Sequence, residues 1–488
     1  MRRKLLLLGE GDVVPVVASD LALVHPELLL EVFEVIRLQQ LGIRDERYQG
    51  FFQGKVAFDA SSDLFLNVNG VSFPGAPGIV QGCNERICWG STVNPMDVTD
   101  VYLEELAIDP GSGVPIGTRF EDTVEPVTLI PQLFRVNQVG DGTADNLTNA
   151  GIGPTEGGVT IVVPRRNHGP IVNIDTSTTP VTALSVQYTG WGPTLEFEAF
   201  RRFAEAGTVE EFREGVQFFD VGSQNWAYAD VDGNIAYFTS AEMPLREDLQ
   251  LLMAPDGGVP PFLIRDGTHE LAHEWLPVDT PQPQQVLPYE ILPFAEMPQA
   301  VNPAKGWIAN ANNDPIGTTL DNNPLNQLRP GGGLYYLSPG YSSLRMGRID
   351  RVLEALLAGD GKASLEDLRD LQANNELLDA ELVAPFLIAA FDAADGAGAP
   401  AELAALADDP GIAEAIGRLR AWDWSTPTGI EEGYDPGDDP DDLPEPSAQE
   451  VARSIAATIW AAFRGQLIEN VIDETLAGVG VPAAFLPG

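Results

Sequence analysis

Trp226-Ala227-Tyr228-Ala229-Asp230-Val231-Asp232-Gly233-Asn234-Ile235-Ala236-Tyr237-Phe238 places two apolar, aromatic arms around an Asp-Gly pair. Aromatic residues suit a pleated, half-buried surface, and Asp-Gly supplies the positive φ of a tight turn, so the stretch predicts an antiparallel hairpin. Outward from it the same pattern repeats. GIVQGC (78–83), RICWGST (86–92), DVYLEEL (100–106), GVTIVVP (158–164) and TALSVQYT (182–189) are short strand-like runs separated by Gly, Pro or Asn. Two helices fit between strands, at 194–205 and at 209–219, the second with Thr208 as N-cap. Strands in series with interleaved helices predict an α+β body with large antiparallel sheets over residues 64–345. From 346 to 488 the period turns helical, interrupted by an acidic Pro/Gly/Asp-rich stretch at 425–446 that reads as a loop. Residues 1–63 form a separate N-terminal segment, with helical periodicity from Leu21 to Leu41.

The net charge of −44 argues against binding a nucleic-acid backbone or an anionic membrane surface. It suits solubility, a salty habitat or bound cations. The apolar run Leu5–Leu8 is too short for a signal-peptide core or a membrane span. The two cysteines, Cys83 and Cys88, flank a plausible turn and leave open a cross-strand disulfide or two buried thiols.

His269-Glu270-Leu271-Ala272-His273 has the spacing of a helical zinc site with a glutamate base. Asp266-Gly267 before it and Trp275-Leu276-Pro277 after it leave room for about two helical turns, so a chance match in a surface loop is the stronger reading. Asp230-Val231-Asp232-Gly233 resembles a calcium loop only superficially, being the hairpin turn. His168, after Arg165-Arg166, reads as a structural histidine at a strand end. Asp97 and Asp100 can converge on a hard cation, although the spacing is also that of a common turn. Asn310-Ala311-Asn312-Asn313-Asp314 is a dense run of small and amide residues whose carboxamides can donate to a developing oxyanion.

Several segments together resemble the penicillin acylase family. They are Pro74–Gly78 with GIVQGCNERICWGST, DVTDVYLEEL, His168–Val172, Gln224–Ile235, Gly306–Asn313 and Arg345–Arg351, in the family's order over roughly 64–480. The resemblance implies an αββα N-terminal-nucleophile sandwich and hydrolysis of linear amides by a serine that self-cleavage exposes. It assigns Asn312 as the oxyanion carboxamide, Val93 as the backbone N–H donor and Arg345 as an orienting arginine. It assigns calcium to Asp97, the Thr99 carbonyl, Asp100 and Asp321. It further implies a small N-acyl substrate, a heterodimer of chains cut from one precursor, and a periplasmic or secreted location. The family's Gly-Ser-Asn-Asn-Trp opening is not found; Ser61 and Ser62 lie near its place without the flanking motif, and Cys83 sits inside a strand. A truncated reading or a non-catalytic, calcium-binding homologue would account for this.

Overall fold

The computed structural model describes residues 67–135 apart from 75 and 77, residue 142, and residues 168–252, 259–342, 344–358, 361–427 and 446–480, with only the backbone of strands at 22–24, 52–53, 132–135, 153–155 and 158–166. Most of the expected helix at 21–41 and of the acidic stretch at 425–446 lies outside the described residues. The chain divides into two compact units, one of His25–Phe33 with Asp45–Ser342, the other of Met1–Val24, Glu34–Arg44 and Ser343–Gly488.

The hairpin forms as its sequence requires. Strands Gln224–Asp230 and Ile235–Ser240 pair with Trp226 opposite Phe238. Gly233 takes a φ of 99°. The Asp230 carboxylate accepts the backbone N–H groups of Asp232 and Asn234 at 2.9 Å and the Tyr228 hydroxyl at 2.8 Å. These bonds outweigh burial and hold the carboxyl below its usual range. The Asp230 carboxylate thus closes the hairpin turn that the sequence predicts.

Around the hairpin grows an antiparallel sheet in the order Gln299–Val301, Ile235–Ser240, Gln224–Asp230, Ile87–Val93, Gln81–Cys83, Asn69–Ser72, Phe52–Gln53. Helices Glu196–Glu205 and Val209–Val216 cover one face, and the Thr208 side chain caps the second by accepting the Glu211 N–H. The contact is aromatic: Phe203 packs on Phe212 and Trp226 with ring centroids 4.5 and 4.9 Å apart. Trp89, Tyr228 and Phe238 complete this core. Burying each such ring is worth ~2 kcal/mol, which fixes the helical layer on the sheet. Cys83 and Cys88 stand directly opposite each other across adjacent strands and are joined as a disulfide, which resolves the alternatives left by their spacing.

A second sheet of the same unit runs Gly153–Thr155, Gly158–Arg166, Gly169–Asp175, Thr182–Tyr188, Thr99–Ile108, Pro115–Phe120, Thr123–Pro126. Strand Thr99–Ile108 alternates strictly, but the side chains it buries include Asp100, Tyr102 and Glu104. The strand beside it buries Ser185 and Gln187. Asp100, Glu104 and Ser185 are paired, as buried polar groups ordinarily are, whereas Gln187 Oε1 has no hydrogen-bond partner among the described residues.

In the other unit, helices Leu344–Leu357, Leu365–Gln372, Leu378–Ala394, Ala401–Ala407, Pro410–Arg420 and Ala448–Leu467 succeed one another. Ser364 with Asp367 and Ser447 with Glu450 form capping boxes that start two of them. Trp422 and Trp460 pack with Ala380, Ala384, Ile416 and Leu419 in its core. Past Leu467 the last long helix widens into a π-helical turn at Ile468–Asp473 before Glu474–Gly478.

Two measurements probe this scaffold. Replacing Cys83 and Cys88 together by serine opens a loop of only a few residues, and denaturant unfolding is expected to show a loss of about 2 kcal/mol. Asp220 is a buried carboxyl whose Oδ2 accepts the Leu195 N–H at 2.6 Å while Oδ1 has no partner among the described residues. Burial, with the neighbouring Glu242 charge, pushes it up to about 8. The folded state thus holds a proton that the unfolded state has released, and stability falls as pH rises from the ordinary carboxyl range to about 8. Asp220→Asn is expected to raise Tm at pH ~8 and to leave it nearly unchanged near pH ~4, measured by calorimetry across that window.

Candidate active site

Strand Trp307–Ala309 ends in the Asn-rich run. Asn312 sits at φ 56°, a left-handed conformation that asparagine tolerates better than most residues. The turn is held by Asn310, whose carboxamide oxygen accepts the Asn312 N–H at 2.9 Å and the Thr92 hydroxyl at 2.6 Å. Asn225 Nδ2 reaches the same oxygen at 3.3 Å and the Val93 carbonyl at 3.1 Å. Tyr237 donates its hydroxyl to Asn225 Oδ1 at 2.5 Å, fixing which end of that amide points where. Asn312 Nδ2 then donates to the Val93 carbonyl at 2.5 Å. Below the turn, Asp314 accepts the N–H groups of Gly317 and Thr319 at 2.8 and 2.7 Å, which ties the following loop back on itself.

Asn312 and Val93, singled out from separate parts of the sequence, are therefore in direct contact. In an extended strand the N–H and C=O of one residue lie on the same edge, so the Val93 N–H is on the edge where the Asn312 carboxamide sits. Val93 is 59% exposed, whereas the neighbouring Asn310 and Asn225 are buried. The arrangement is an asparagine amide bonded to the carbonyl of a strand-end residue and backed by a buried amide network. Sequence reasoning did not assign roles to Thr92, Asn225, Asn310 or Tyr237, because nothing in their spacing shows that two hairpin strands and a distant turn meet. Arg345 is exposed near the start of helix Leu344–Leu357 in the other unit.

The acidic residues assigned to calcium are disposed differently. Asp100 is fully buried and takes a two-pronged pair from Arg246, with Nε at 2.9 Å from Oδ2 and Nη2 at 2.7 Å from Oδ1. Trp275 Nε1 donates to Asp100 Oδ2 at 2.8 Å. Burial opposes the Asp100 charge, but Arg246 and Arg265 overcome it and hold the carboxyl below its usual range. Asp97 accepts the Tyr336 hydroxyl at 2.6 Å and its own backbone carbonyl accepts Arg246 Nη2 at 2.9 Å. Asp321 is exposed and spends its carboxylate on Asn323 N, at 3.0 Å, and on Asn326. Asp97, Thr99, Asp100 and Asp321 thus do not present an open set of oxygens in this arrangement, because a guanidinium already supplies the positive charge at Asp100. Among the described residues no group of three or more acidic, histidine or cysteine side chains is arranged to hold a metal.

The HELAH run is not a helix. His269 has a φ of 60° and lies between Glu121 and Glu247 at 2.9 and 3.2 Å. His273 is buried and its Nδ1 accepts the Asp266 N–H at 2.8 Å. The two rings serve separate turns, so the shared face that zinc needs is missing. His168 is buried, stacked on Tyr102 at 3.7 Å and bridged between Glu104 and Glu274 at 3.0 and 2.8 Å, the structural role its strand-end position suggested. Cys83 and Cys88, being bridged, offer no thiol nucleophile. Ser61 and Ser62 lie outside the described residues.

Two largely antiparallel sheets, one of them covered by a helical layer, are consistent in architecture with the αββα N-terminal-nucleophile hydrolases. The penicillin amidase family model matches residues 52–486, and the chain belongs to that family. Penicillin G acylase of Escherichia coli is 28% identical over 244 residues, 49% of this chain and 23% of that protein. Penicillin acylase 2 proenzyme of Pseudomonas sp. (strain SE83) is 24% identical over 246 residues, 50% of this chain and 26% of that protein. The thermostable penicillin G acylase from Alcaligenes faecalis shares the fold with a TM-score of 0.53 at 21% identity, covering 78% of this chain and 55% of that one. The matched part thus spans about a quarter of the length of either sequence relative.

Removing Arg246 would strand the Asp100 charge in the interior. Arg246→Met is expected to destabilise the chain by about 3–5 kcal/mol in denaturant unfolding, whereas the double variant with Asp100→Asn recovers part of that loss.

Proposed function

We propose that this chain is the main body of an amidohydrolase that cleaves linear N-acyl amides. Side-chain removal from β-lactams or cleavage of acyl-homoserine lactones are the substrate types in view. The observation that carries the reading is the contact of the Asn312 amide with the Val93 backbone, brought together from residues far apart in the sequence. In amide hydrolysis, attack on the carbonyl carbon develops negative charge on its oxygen. Donors preset at that position favour the transition state over the ground state without reorganising. Here the Asn312 amide N–H and the Val93 N–H would donate to the developing oxyanion. Asn310, Asn225 and Tyr237 would hold them in place. The attacking group is not assigned. The name of the Pseudomonas relative, a proenzyme, supports a precursor cut into chains. The Cys83–Cys88 disulfide supports a compartment outside the reducing cytosol, in keeping with a periplasmic or secreted location. No helix among the described residues is long and apolar enough to cross a membrane.

The test is hydrolysis of a panel of N-acyl substrates by the purified chain, with intact mass measured in parallel. Cleavage is expected, with Asn312→Ala lowering kcat by about 10²–10³ and changing KM little. Mass spectrometry is expected to show two fragments that sum to the precursor. One uncut chain with no turnover of any substrate would sink the catalytic reading and leave a non-catalytic family member.

A further inference from the structure

The charge balance has no part in amide hydrolysis and asks for its own account. Asp and Glu number 72 against 28 Lys and Arg, so pairing every base with one acid still leaves 44 carboxylates without a basic partner. Lysine is almost absent: Lys4, Lys55, Lys305 and Lys362 are the only ones. The arginines of the helical unit are already engaged, Arg351 with Glu381, Arg420 with Asp392, Arg453 with Asp423 and Arg464 with Asp379.

The placement of the excess charge is as telling as its amount. Glu210 and Glu214 lie one turn apart on the exposed side of helix Val209–Val216. Like charges at that spacing repel and weaken a helix in dilute buffer. Asp395 and Asp408 stand at the C-caps of Leu378–Ala394 and Ala401–Ala407, where a carboxylate meets the negative end of the helix dipole. Both units carry such placements, so no single acidic patch is at issue.

All of these arrangements become harmless when the reach of a charge shrinks from ~10 Å in ~0.1 M salt to ~3 Å in ~1 M. We infer that this chain is built to fold and work in concentrated salt, with hydrated monovalent cations around its carboxylates completing the charge balance. The scarcity of lysine fits the same condition. A lysine exposes a long methylene stem, and concentrated salts that strengthen apolar association make such stems adhesive, whereas short carboxylate side chains keep the surface hydrated. A net charge this large would otherwise push the compact state apart.

The test does not depend on catalysis. Thermal unfolding of the whole chain is followed in KCl from about 0.1 M to about 3 M, beside the triple variant E214K, D395K, D408K, which turns one repulsive helix pair attractive and puts cations at two helix C-caps. The wild-type Tm is expected to rise by about 10 °C or more over that range, and the variant to start higher at low salt and rise less steeply. A smaller rise, a flat line or a fall in the wild-type Tm overturns the inference. So does a variant that keeps the wild-type slope, because salt would then be acting on apolar surface and not on the carboxylates.

Discussion

Asp100 is a carboxylate with no exposure to solvent, and the need to balance that charge organises the larger unit. A buried ion costs several kcal/mol unless it is paired and hydrogen-bonded at every lone pair. Arg246 arrives from the segment after the hairpin, Trp275 from the loop beyond it, and Arg265 from the short strand that joins the second sheet in parallel. Arg265 in turn bonds Asp248 at 2.7 Å, and Arg246 stands beside the Tyr336 ring. Segments that span residues 97–336 are thereby drawn to one strand. The apolar cores set the layers, and this ionic node sets how the loops between them close.

The same logic explains why the second sheet can bury a polar face. Asp100, Glu104 and Ser185 alternate inward where apolar residues would ordinarily stand, yet each is paired: Asp100 with Arg246, Glu104 with His168, and Ser185 with Glu104 at 2.6 Å. The candidate active site is built on a neutral version of this principle. There amides replace ions, and the Asn310 oxygen gathers three donors, so that Asn312 can hold a left-handed backbone and still present its amide beside Val93. Donors locked by buried neighbours are the ones that can meet a developing charge without rearranging.

The proposed amide hydrolysis and the proposed adaptation to salt make separate demands on this chain. Asn312 and Val93 lie beside a network of buried amides, while the carboxylates at issue are on exposed helices. Screening the surface therefore need not weaken the hydrogen bonds that position Asn312, because buried and short-range contacts are screened far less than exposed charges.

The sequence by itself determined the hairpin at 224–240, the strands around it and the helical character after 346, because alternation, Asp-Gly turns and helical periods are local consequences of side-chain shape and backbone preference; the family came from the resemblance of its ordered segments. It also brought out Asn312 and Val93. It did not reveal that Asp97 and Asp100 are matched by Arg246, that Asp321 folds into its own turn, that His269 and His273 serve separate turns, or that Thr92, Asn225, Asn310 and Tyr237 form one network. These are decided by which distant segments meet, and a carboxylate looks the same in sequence whether a cation, a guanidinium or its own backbone will satisfy it. Only the tertiary structure, by closing loops more than a hundred residues long onto one strand, chooses the partner.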